Sequence, residues 1–98
     1  MTQGKHDQYK FRLDLHGAYV PSTVLSNTNL ESANLSGADF TSAIFRGANF
    51  KNANLTGTIL RGADLTDARN LTREQIAVAI IDERTKLPAL APVPAAAE

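Results

Sequence analysis

From Val20 to Leu65 every fifth residue is apolar: Val20, Leu25, Leu30, Leu35, Phe40, Phe45, Phe50, Leu55, Leu60 and Leu65. No Leu or Phe between residues 20 and 69 lies off this lattice. Two places before each stands an Ala or a Thr, from Ala18 through to Ala63. Two places after fall four of the chain's six glycines, Gly37, Gly47, Gly57 and Gly62, and Gly17 stands likewise two places after Leu15. An α-helix would carry successive fifth residues around its surface, and a strand would set them on alternate faces. A chain that turns a corner every five residues puts them all inside. Four such corners close a quadrilateral coil. The small residue also points inward, because side chains alternate along each short extended side. Glycine suits the corners, where the backbone needs conformations barred to other residues. Coils stacked at roughly 4.8 Å pair their backbones and bury one another's open ends.

The units ANLSG, ADFTS, AIFRG, ANFKN, ANLTG and ADLTD carry a further signature. They resemble the A(D/N)LXX repeats of the pentapeptide repeat proteins, and the resemblance covers residues 13–69. It implies an all-β solenoid, a right-handed quadrilateral β-helix, here of just under three coils. Leucine-rich repeats need unequal leucine spacings, whereas this chain has a uniform five.

Residues one coil apart lie above one another. The core stack is then Leu25, Leu30, Leu35, Phe40, Phe45, Phe50, Leu55, Leu60 and Leu65. Phe40, Phe45 and Phe50 share one level as an aromatic layer, with Phe40 between Val20 and Leu60 and Phe45 between Leu25 and Leu65. Outside, Asn29 stacks on Asn49 and Asn34 on Asn54, which suits hydrogen bonding along the surface. Glu31 stacks on Lys51, an exposed pair worth about 0–1 kcal/mol. The residue before each central Leu or Phe should be Asp or Asn. Tyr19, Val24, Ile44 and Ile59 break that rule. Val24 stacks on Ile44, while Tyr19 and Ile59 share the adjacent side with Asp39 between them. Four clustered apolar residues form a candidate partner-binding patch, although β-branched residues also simply favour strands.

The repeat fails at Arg69-Asn70. Thr72 with Gln75 makes a capping box, and Leu71 with Ile76 fits a hydrophobic staple. Ile76, Ala79 and Ile80, widened by Ala77 and Ile81, recur at helical spacing and predict an α-helix that seals the bottom of the stack. Residues 70–87 are thus expected to form a C-terminal capping helix and turn. Residues 88–98, with three prolines, suit a disordered tail or linker to another domain. Residues 1–12 form a tail and leading strand, in which Tyr9 and Phe11 begin an alternation that Leu13 and Leu15 continue. An unpaired end coil invites homodimerisation. So, by the resemblance, does a C-terminal helix.

Ten Lys and Arg balance ten Asp and Glu, which argues against a nucleic-acid partner or an anionic membrane surface. No cysteine is present, so disulfides, thiolate metal sites and a Cys nucleophile are excluded. The amino-terminal residues hold no apolar signal segment, and no apolar run is long enough to span a membrane. The default is a cytoplasmic, soluble protein. His16 sits beside Asp14 at an outward position, and His6 lies in the N-terminal tail; no base is placed to activate a Ser or Thr. Metal-ligand spacing, nucleotide motifs and cofactor signatures are missing. The chain reads as no enzyme and as needing no cofactor. It reads instead as a non-catalytic scaffold or protein-interaction module.

Some pentapeptide repeat proteins inhibit DNA gyrase by imitating duplex DNA with an anionic surface. Here residues 15–69 carry Glu31, Asp39, Asp64 and Asp67 against Arg46, Lys51, Arg61 and Arg69. That balance and the short stack disfavour mimicry. A third reading makes the chain a structural module of a larger repeat protein.

Overall fold

The computed structural model describes residues 12–89. Expectations for residues 1–11, and for most of the Pro/Ala segment, lie outside the described residues. Within them the chain is a four-sided spiral whose sides pair through single-residue parallel bridges. The first side carries Asp14, Asn34 and Asn54, and the second Tyr19, Asp39, Ile59 and Ile80. The third carries Val24, Ile44, Asp64 and Lys86, and the fourth Asn29, Asn49 and Arg69. Residues 13–32, 33–52 and 53–72 make successive coils, followed by a partial one. Each side is too short for a conventional strand.

The corners are hydrogen-bonded turns. At nearly every corner the N–H three residues on donates to the carbonyl of the inward apolar residue, as Ala43 does to Phe40 at 2.9 Å. The third turn residue has positive φ throughout, the signature of a type II turn. Glycine fills only some of these positions. Ser22, Asn27, Ser32, Ser42, Asn52 and Asp67 adopt the same left-handed conformation, with φ from 59° to 62°. Pro21 takes the second place of its turn, where its fixed φ is suited.

The core is a column of Leu, Phe and Ala. Leu30, Leu35, Phe40, Phe45, Phe50, Leu55, Leu60 and Leu65 are buried, while Val20 and Leu25 are half-buried because no described coil lies above them. Phe40 meets Phe45 edge-on at 5.1 Å between ring centroids, and Phe45 meets Phe50 at 5.3 Å. These are favoured aromatic geometries. The small-residue row includes Thr58, fully buried, whose hydroxyl donates to the Leu35 carbonyl at 2.7 Å.

The lower end departs from the sequence expectation. The lattice calls for an inward apolar residue at 70, but Asn70 swings outward with φ 60° and donates to Asn49 at 2.7 Å. Leu71 goes inward one residue late. The helix that follows, α1, spans only Arg73–Ala77, with Thr72 as N-cap and Val78 as C-cap. Ile80 and Ile81 therefore do not extend a helical stripe. After Val78 the chain returns to the spiral, pairing Ile80 beneath Ile59 and Lys86 beneath Asp64. The physical reason is the edge above. Leu60 N–H donates to the Ile80 carbonyl and Leu65 N–H to that of Lys86, both at 2.7 Å, bonds that a longer helix could not supply. Leu71, Ile76 and Ala79 pack against the core from below. The Gln75 amide closes the remaining corner, donating to the Phe50 and Ala53 carbonyls at 2.8 and 3.0 Å.

Candidate functional site

The outward residue in the middle of each side has a structural task. Asp14, Asn29, Asn34, Asp39, Asn49, Asn54 and Asp64 each turn a side-chain oxygen back to accept the N–H two residues on, at 3.0–3.1 Å. This Asx bond holds the corner that follows. Hydrogen bonding along the surface is the lesser use of these residues: Asn49 donates to Asn29 at 3.1 Å, whereas Asn34 and Asn54 serve their own turns. At Asp39 the Thr41 hydroxyl, then the Thr41 N–H, hold the carboxyl below its ordinary pKa. Thr66 does the same for Asp64, and His16 for Asp14.

Tyr19, Val24, Ile44 and Ile59 offer no such oxygen. Tyr19 forgoes it without loss, since Pro21, two residues on, has no N–H. Tyr19 and Val24 are 77% and 65% exposed, and Ile44 and Ile59 are half-buried. The bridges set Val24 directly on Ile44, and set Tyr19 and Ile59 on either side of Asp39. The four residues thus form two strips on adjoining sides, facing different directions, separated by the corner of Pro21, Thr41 and Arg61. Ile80, 36% exposed, lengthens the strip on the second side; its helical assignment from sequence hid it. Below Ile44 the surface turns ionic, with Arg46 on Asp64 at 3.1 Å.

Other chemistry is sparse. Among the described residues no group of His, Cys, Asp and Glu is arranged to hold a metal ion. His16 Nδ1 lies 2.7 Å from an Asp14 oxygen on an open surface. A polar groove of about 620 Å³ runs past Arg12, Asp14, Asn34 and Asn54, away from the four apolar positions. No helix of the described residues is long and apolar enough to cross a membrane.

The Pentapeptide repeats family model matches residues 12–47 and 33–69, in eight copies. The chain belongs to the pentapeptide repeat family. Among solved structures it is similar to a pentapeptide repeat protein, Rfr23, from the cyanobacterium Cyanothece 51142. That match has 34% identity and a TM-score of 0.66, over 76% of this chain and 50% of the other. QnrB1, a plasmid-mediated fluoroquinolone resistance protein, matches with 21% identity and a TM-score of 0.43, over 76% of this chain and 37% of its own. The chain spans half the length of Rfr23. No curated protein matches it. The pentapeptide repeat assignment makes the four-sided stack a right-handed quadrilateral β-helix, and no catalytic family is indicated.

Proposed function

We propose that this pentapeptide repeat chain is a non-catalytic scaffold that binds a protein partner through Tyr19, Val24, Ile44 and Ile59. One observation carries the reading. At Val24, Ile44 and Ile59 an apolar side chain stands where an Asp or Asn would have secured the next turn, Tyr19 adds a fourth, and Tyr19 and Val24 are mostly exposed. A hydrogen bond of that kind is worth about 0.5–1.5 kcal/mol. Three of the four positions forgo it, and what the surface gains is contact area for another protein.

The test is affinity capture from source lysate with the full chain, comparing wild type with Val24→Lys/Ile44→Lys on the third side and Ile59→Lys on the second. All three changes face outward, and unchanged circular dichroism establishes that the coil is intact. Proteins held by wild type and lost from a variant support the patch and say which strip they use. The same proteins on all three, or none on any, overturn it.

A further inference from the structure

The two ends of the stack are not alike. Below, the chain closes its own edge through Gln75, Ile80, Thr85 and Lys86. Above, it does not. In the second coil, Asn34, Asp39, Ile44 and Asn49 each direct both N–H and C=O upward: Asn34 N–H donates to Leu13, for example, while its carbonyl accepts from Leu15. The same geometry in the first coil sends the N–H and C=O of Asp14, Tyr19, Val24 and Asn29 upward, where no described residue pairs with them. The sequence pattern itself breaks off in that direction, since Lys10 and Lys5 stand at the next two positions of the five-residue lattice.

We propose that the first coil is the interface of a head-to-head homodimer, in which Tyr19 of each protomer pairs with Val24 of the other. A residue that points both its N–H and its C=O at the same neighbour suits the hydrogen-bonded pair of an antiparallel ladder, where two opposed residues exchange both bonds. A two-fold axis across the stack reverses chain direction on every side and so generates antiparallel pairing. The spiral selects which axis. Each coil descends by one strand spacing from the first side to the fourth, so the two upper edges are ramps. Setting first side against fourth and second against third keeps the gap constant, whereas other axes open a gap of up to roughly 4.8 Å on part of the edge.

That single arrangement also matches the side chains. Tyr19 opposes Val24, an aromatic and β-branched pair of the kind that stabilises sheets. Asp14 opposes Asn29, whose Nδ2 donates to no described residue while Asp14 holds a second carboxylate oxygen clear of His16. The axis passes through the corner at Pro21, which has no N–H to orphan. One full coil, residues 13–32, enters from each protomer, within the roughly 20–30 residues a side of a standard interface. Outward side chains stay outward in such a ladder, so the dimer runs the second-side strip of one protomer into the third-side strip of the other. The proposal stands apart from the partner reading, since it needs neither Ile44 nor Ile59.

The chain has no native cysteine, so the test can be made by cross-linking. Sedimentation equilibrium of the full chain should give a mass twice 10.5 kDa, dissociating on dilution. Tyr19→Lys/Val24→Lys should return it to monomer, and Ile59→Lys should leave it dimeric. Under mild oxidation Tyr19→Cys/Val24→Cys should form a disulfide-linked dimer, since opposed residues of a hydrogen-bonded pair lie about 5.5 Å apart at Cα. Either single cysteine variant should not. A monomer at every concentration overturns the proposal. So does a dimer that survives the Lys pair and is not captured by the cysteine pair, which would place the contact elsewhere.

Discussion

The corner residue with positive φ recurs every five positions from Gly17 to Asp67, and it tolerates more than glycine. At Gly57, φ is 67° and an added Cβ would meet only Gly37 backbone at 3.8 Å, an ordinary contact. Gly57→Ala should therefore cost about 1–2 kcal/mol through conformation alone, read as a lower urea midpoint at unchanged m-value. The sequence shows the glycines but not why Ser22, Ser32 and Ser42 serve equally, because a hydroxyl side chain carries no positional mark of left-handed backbone. The task of Asp and Asn was equally hidden: their outward placement is legible from the spacing of five, but their hydrogen bonds to the next turn are not. Those bonds couple stability to pH. Asp39, held down by the Thr41 hydroxyl and N–H, has a folded pKa below the unfolded value of about 3.9. Its contribution is complete above that value and is lost as pH falls through the folded pKa. In Asp39→Asn the amide oxygen still accepts the Thr41 N–H without titrating. Stability measured by denaturant between pH 5 and 2 should fall less steeply in that variant than in wild type.

At the scale of elements, the aromatic layer and the lower cap can each be tested through one side chain. Phe45 sits between Phe40 and Phe50 with no exposure, so Phe45→Ala should cost about 3–5 kcal/mol and unfold neighbouring coils together. Gln75 bridges α1 to the stack through two donated bonds and accepts the Thr72 N–H. Gln75→Ala should cost about 1–3 kcal/mol, seen as lost amide protection at the lower end before the first coil. The start of α1 is legible in the sequence, since the Thr72 and Gln75 capping box is local chemistry. Its end is not. Ile76, Ala79 and Ile80 fit a helix by spacing, yet the unpaired edge of Ile59 and Asp64 recruits Ile80 and Lys86 as bridges. A demand made by residues some twenty positions away leaves no trace in a local period. Ile80 escaped notice as part of the apolar strip for the same reason.

At the scale of the whole molecule, charge decides what the surface does not imitate. Acidic and basic residues balance across the chain, and Asp39 and Asp64 are engaged by Thr41, Thr66 and Arg46 rather than arrayed in a row. The chain should leave DNA supercoiling by gyrase unchanged at high micromolar concentration, measured on relaxed plasmid; inhibition would revive the mimic reading. The spiral itself has another consequence. A residue's side is set by its position within a repeat of four units, so the outer surface works like a dial. Gaining or losing one unit in the middle leaves every core residue pointing inward and every corner intact. It nevertheless turns all that follows by one click. Ile59 would leave the side of Tyr19, and Ile44 would part from Val24 if the unit fell between them. A change that the core hardly registers would redraw the molecule's outer face, whereas gaining four units at once would lengthen the column and restore the alignment.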